Sequence, residues 1–225
     1  WSIGNNSTRQ AWGAALINNQ PSTQLYIIGW DDNLVYTLPR HKQHGGWTHC
    51  VATYKGADRL TKLYIDGELV MDHVMGADLN TSNSHNLNFG GRLNSTNNFW
   101  GGWIQEFAMF NEVLTDTDVA NIFNNQKNVI GNSSDRNTSS YDIIAPPTKA
   151  HPYYFHTGTF TDHFFFDGNT TLQTQYSGSQ VELDSLATSG QTWMMWMKHA
   201  QVDDAYVDTW DSDGVCVFDV GDQST

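Results

Sequence analysis

The sequence predicts an all-β fold, an antiparallel sandwich with one short helix, and three observations carry that expectation. Nine Trp, nine Tyr and eleven Phe stand beside 19 Gly and many Asn, Ser and Thr, a mixture suited to short strands joined by polar turns. Short apolar runs recur between turn-forming clusters along most of the chain. Only one stretch changes from strand-like to helical periodicity. With 225 residues, 39% of them hydrophobic, the chain can bury a substantial core.

Taken in order, the apolar run 25–30 lies between Pro21-Ser22-Thr23 and Asp31-Asp32-Asn33, and 34–38 follows that turn, as in a hairpin. Residues 47–54 read as a further strand. The run 63–65 meets Asp66-Gly67 before 69–71 returns, and Asp-Gly between two apolar runs signals a type I′ hairpin. Strands are expected at 86–91 and 100–110, the latter with a bulge or a close backbone approach at Gly101-Gly102. Residues 115–123 read as the helix: Thr115 is placed to cap it, Asp118 completes a capping box, and Val119, Ile122 and Phe123 share a face. Further strands are expected at 153–155, 164–166, 181–183, 192–197 and 215–220.

Eleven basic against 24 acidic residues leave a formal charge of −13, which opposes a sequence-independent grip on nucleic acid or anionic lipid. No run approaches the ~20 apolar residues of a membrane-spanning helix, so no membrane insertion is expected. The chain opens at Trp1 without an initiator Met or an apolar leader, which reads as a mature product or a piece of something longer. Cys50 and Cys216 are the only cysteines, too few for a disulfide framework; two buried thiols are a plainer reading than one bridge. Sequons occur at Asn5, Asn6, Asn80, Asn94, Asn132, Asn137 and Asn169, roughly twice the chance expectation and mostly in turn-like stretches. They point to a secreted or cell-surface glycoprotein.

Between residues 124 and 150 the chain becomes polar, with two sequons and Pro146-Pro147. The expected organisation is a first domain over 1–125, a glycosylated linker over 126–152, and the opening part of a second domain over 153–225.

Several motifs carry a family resemblance. Trp47-Thr-His-Cys-Val-Ala-Thr-Tyr54, Leu63-Tyr-Ile-Asp-Gly67, Asn88-Phe-Gly-Gly91, and Gly102-Trp-Ile-Gln-Glu-Phe-Ala-Met-Phe110 followed by Leu114-Thr115 resemble, in order and spacing, the C-terminal two-thirds of a laminin G-like or pentraxin-like jelly roll of the concanavalin A type. Phe166-Asp-Gly168 and Thr192-Trp-Met-Met-Trp-Met-Lys198 are similar to the beginning of such a domain. The octet Phe218-Asp-Val-Gly-Asp-Gln-Ser-Thr225 also matches Trp1-Ser-Ile-Gly-Asn-Asn-Ser-Thr8 at an offset of 218 − 1 = 217. The resemblance therefore implies a tandem array in which each part lacks strands. Those strands would come from adjoining parts of a longer polypeptide, from a neighbouring copy, or from the same chain as a circular permutant, in that order of preference.

Some relatives of this jelly roll hydrolyse β-glucans with carboxylates spaced Glu-x-Asp-x-x-Glu. Here Glu182-Leu-Asp184 supplies the first half, and Ala187 stands where the second Glu belongs. The resemblance would place pentraxin-like calcium loops at Arg9-Gln-Ala-Trp12 and Arg92-Leu-Asn94, and neither contains a carboxylate. The acidic cluster Asp203, Asp204, Asp208, Asp211 and Asp213 has the chemistry for calcium but not an EF-hand spacing, so a solvated turn is the plainer reading. His41, His44, His49 and His73 show no zinc-type interval, and Cys50 should point to the strand face opposite His49. Trp30, Trp100, Trp103 and Trp210 would stack on sugars if exposed, although Trp in a sandwich is more often core. The expected function is thus a non-catalytic extracellular scaffold or adhesion protein without a resident cofactor, whose partners are copies of itself and adjacent repeats, with glycan binding as the rival and glycoside hydrolysis third.

Overall fold

The computed structural model describes residues 12–19, 22–29, 32–42, 46–79, 86–89, 100–110, 112–128, 164–167, 172–175, 190–199 and 215–221. They form two antiparallel six-stranded sheets and one helix. The strands are β1 (Gly13–Asn19), β2 (Ser22–Ile28), β3 (Leu34–Thr37), β4 (Thr48–Lys55), β5 (Leu60–Ile65), β6 (Glu68–Val74), β7 (Asn86–Phe89), β8 (Gly101–Phe110), β9 (Phe164–Asp167), β10 (Leu172–Gln175), β11 (Gln191–His199) and β12 (Val215–Gly221). The helix α1 is Asp116–Gln126. One sheet has the order β10-β7-β12-β1-β2-β3, the other β6-β5-β4-β11-β8-β9. This is the antiparallel sandwich expected from the sequence.

Period-2 alternation builds two apolar layers. Leu16, Leu25, Ile27 and Leu34 of the first sheet meet Cys50, Ala52, Tyr54, Leu63, Phe107, Trp193 and Met195 of the second, forming the main core. Alternate residues of the second sheet (Val51, Tyr64, Ala108, Phe110 and Met194) point the other way and are covered by Leu114, Val119 and Ile122. Strand β11 is therefore buried on both faces from Gln191 to Met197, which explains its nearly unbroken apolar run.

The local turn chemistry matches expectation at two places. Asp66 and Gly67 both have positive φ, 51° and 83°, as a type I′ turn requires. Thr115 caps α1 through its Oγ1, which accepts from the Asp118 backbone N–H at 3.2 Å, while the Asp118 carboxylate accepts from the Thr115 N–H at 3.0 Å. The helix runs three residues beyond the expected 123 because Gln126 is held inside: its Oε1 accepts from Trp196 Nε1 at 2.8 Å. Elsewhere the structure differs. The bulge of β8 falls not at Gly101-Gly102, where the ladder to β9 continues, but opposite the register shift between Met194 and Trp196, with Glu106 at φ 52°. A Cβ on Gly101 would meet nothing within 4 Å. Strands β1 and β10, polar or interrupted in pattern, were not singled out by periodicity. The strands expected at 153–155 and 181–183 lie outside the described residues.

Strands β9 to β12, from the segment whose sequence reads as the opening of a second unit, enter the same two sheets as residues 13–126. Strand β12 lies against β1, with Gly13 opposite Asp219 and Ala14 opposite Phe218.

The turn at Gly67 is also a packing point. A Cβ there would lie 3.0 Å from Phe123 Cβ and from its ring, in a backbone conformation that disfavours any Cβ. Gly67→Ala is expected to lower stability by about 1–3 kcal/mol, read as a shift of the urea midpoint. An unchanged midpoint would mean that the turn and α1 are not in contact.

Candidate functional site

The most elaborate polar arrangement among the described residues lies where α1 crosses the outer face of β4, β5 and β11. At its N-terminal end, Asp116 Oδ1 accepts from Tyr64 Oη at 2.7 Å and from Lys62 Nζ at 2.9 Å. These two hydrogen bonds hold the Asp116 carboxyl below the usual carboxylate range, Lys62 first. Burial and the same carboxylate push the Tyr64 phenol up. Beside them a groove of about 430 Å³ is lined by Thr53, Lys55, Leu60, Val113 and the start of α1. Its lysines are already engaged, Lys55 with Asp58 and Lys62 with Asp116. The cluster docks a helix on a sheet.

Under the C-terminal half of α1, His49, Trp196 and Phe123 form a three-ring cluster: the His49 ring centroid is 5.0 Å from Trp196 and 5.8 Å from Phe123, both tilted, and the Trp196 and Phe123 rings stack at 5.7 Å. Its backbone N–H donates to Asp66 Oδ1 at 3.0 Å, and Asp66 also pairs with Lys42. Neither imidazole nitrogen has a hydrogen-bond partner among the described residues. Burial lowers its pKa to about 3 against the opposing pull of Asp66, so the ring is neutral and apolar in behaviour. Cys50 points into the main core, on the face opposite His49 as expected; it is unpaired, and burial pushes its thiol up. A second polar clasp links the sheets: Asp32 accepts from His73 Nε2 at 2.7 Å and from the Gly76 N–H at 2.8 Å. On β8, burial raises the Glu106 carboxyl to about 7.

The sequence-derived candidates are dispersed by the fold. All seven sequons, Asn5, Asn6, Asn80, Asn94, Asn132, Asn137 and Asn169, lie outside the described residues, as do Glu182, Asp184, Trp30, Trp210 and the acidic cluster 203–213. Trp100 is fully buried in the main core, so the sugar-stacking role considered for it is replaced by a packing role. Trp103 is half-buried with Lys198 Nζ 5.0 Å from its ring centroid. His41 is exposed, His49 is enclosed by aromatics and His73 is bound to Asp32. Among the described residues no three His, Cys, Asp or Glu side chains gather as a metal site. No helix there is long and apolar enough to cross a membrane. The Lys62–Tyr64–Asp116 clamp and the Asp32–His73 clasp were not found by sequence reasoning, because each joins residues more than forty positions apart.

A family model described as the concanavalin A-like lectin/glucanase superfamily, of laminin G type, matches residues 3–120. The chain belongs to that family, and its two-sheet architecture agrees with it. Neither curated proteins nor solved structures gave a match.

Proposed function

We propose that the chain is a non-catalytic, extracellular glycoprotein module of tandem laminin G-like repeats that serves as an adhesion, filament or matrix scaffold. The observation that carries this reading is the register of β12 on β1. Asp219 lies opposite Gly13, and the octet repeat at offset 217 equates Asp219 with 219 − 217 = 2, that is Ser2. The repeat thus equates β12 with a segment that closely precedes β1 in the sequence. In copies arranged in series, β12 of one copy would therefore lead through a short turn into β1 of the next.

Seven sequons and the net negative charge support a glycosylated, soluble exterior. The self-neutralised groove at α1 and the burial of Trp100 favour a scaffold over the rival lectin reading. The test is secretion of the chain from a eukaryotic host, enzymatic removal of N-glycans, and electron microscopy beside a glycan array. A mass loss on deglycosylation with regular fibres and an empty array is the expected result. Saturable binding to one glycan class by unassembled monomers would replace the scaffold by a lectin.

A further inference from the structure

The four strands β9 to β12 have no ladder among themselves. Strand β9 lies on β8, β10 on β7, β11 between β4 and β8, and β12 between β7 and β1. Among the described residues, every ladder partner of β9 to β12 thus belongs to residues 13–126. The dependence is mutual, since among the described residues β7 and β8 pair only with strands of the later segment. Side chains fasten the same seam: Thr192 Oγ1 donates to the Glu112 carbonyl at 2.7 Å and accepts from the Leu114 N–H at 2.9 Å, and Trp196 donates to Gln126. Each half is a template completed by the other, and neither half is complete in itself.

We propose that β9–β12 exchanges between copies of this chain, so that the later half of one molecule completes the sandwich begun by residues 13–126 of another. Everything that holds β11 in its slot is local to the slot: seven register pairs to β4 and seven to β8, together with the core side chains Trp193, Met195 and Met197. None of these contacts depends on which chain supplies the strand. The halves are joined through residues 129–163, a length of chain that can reach on the order of 120 Å when extended. Closed and exchanged forms therefore share one set of contacts, and the local concentration of copies decides between them. A tether of about this length corresponds to an effective concentration of roughly millimolar order. Copies held at or above that concentration would exchange head to tail and be linked without a separate interface. The inference deepens the scaffold reading by naming the partner as a second copy and the contact as this seam.

The native register supplies the test, because Met195 lies directly opposite Cys50. One full-length chain carries Met195→Cys, Cys50→Ala and Cys216→Ala; a second, differently tagged, carries Cys216→Ala and keeps Cys50. The two are co-expressed and oxidised with diamide. Exchange predicts a disulfide-linked heterodimer at least tenfold above that formed when the second chain also carries Cys50→Ala. A chain with Met195→Cys and its own Cys50 shows that the geometry closes within one molecule. If that control fails to close, Thr48→Cys and Met197→Cys, the next facing pair but one, take its place. Heterodimer no more abundant than in the Cys50→Ala control, alongside a control that closes internally, overturns exchange. Fibres seen despite that outcome would leave the scaffold standing and place its contacts elsewhere.

Discussion

Replacing Trp193 by Ala is expected to cost about 3–5 kcal/mol, a large part of the roughly 5–15 kcal/mol that holds a domain of this kind together. Trp193 is fully buried in β11, opposite Ala52 on one side and Met109 on the other, so its ring fills the centre of the main core. The loss should not be confined to the segment that carries the mutation. Because β8 pairs, among the described residues, only with β9 and β11, and Trp193 packs in the core between the two sheets, loosening β11 removes support from its own sheet and from the core it shares with the other. Hydrogen exchange of the Trp193→Ala chain should therefore show β4 and β8 losing amide protection together with β11, in one cooperative urea transition shifted to lower midpoint. Retained protection in β4 and β5 after β11 has opened would mean that residues 13–126 stand alone, and that the two segments are separate units.

The way the two halves combine was only partly legible in the sequence. Local features carried well: the Asp66-Gly67 turn and the Thr115–Asp118 capping box are set by neighbours within a few residues. Strand β1 was harder to see because its Gly-Ala-Ala opening has little β-propensity, and its place is fixed by Leu16 in the core and by β2 and β12 on either side. The bulge in β8 was expected at the flexible glycines, yet it falls at Glu106, where the register to β11 shifts; only the partner strand reveals that. Pairing partners were the least legible element of all. Antiparallel pairing between β4 and β11 joins residues some 140 positions apart, and periodicity holds no information about which strand lies beside which. For the site, the sequence supplied candidate residue types but not their environments: Trp100 was open between core and sugar stacking until the sandwich enclosed it, and the aromatic surroundings of the buried His49 come from strands and a helix distant in sequence.

His49 and Glu106 should give the protein an unusual pH profile, with opposing slopes that separate when either residue is replaced. The imidazole titrates near 6.5 when unfolded but near 3 when buried, so between those values the unfolded chain binds the extra proton and stability falls as pH falls. The Glu106 carboxyl titrates near 4.5 unfolded and near 7 folded, so between those values the native state holds the extra proton and stability falls as pH rises. From pH 4.5 to 6.5 the two contributions cancel, each amounting to about 1.4 kcal/mol per pH unit. Below 4.5 only the His49 slope remains, and the loss of the Asp116 clamp to Lys62 and Tyr64 adds to it in the same direction as that carboxylate is protonated. His49→Phe, which keeps an aromatic ring beside Trp196 and Phe123, should lose about 2–3 kcal/mol relative to the parent as pH rises from 4.5 to 6.5. Glu106→Gln should gain a similar amount relative to the parent over the same interval. Urea midpoints at pH 4.5, 5.5 and 6.5 for the three proteins read the two slopes directly. Parallel profiles would show that water reaches both groups.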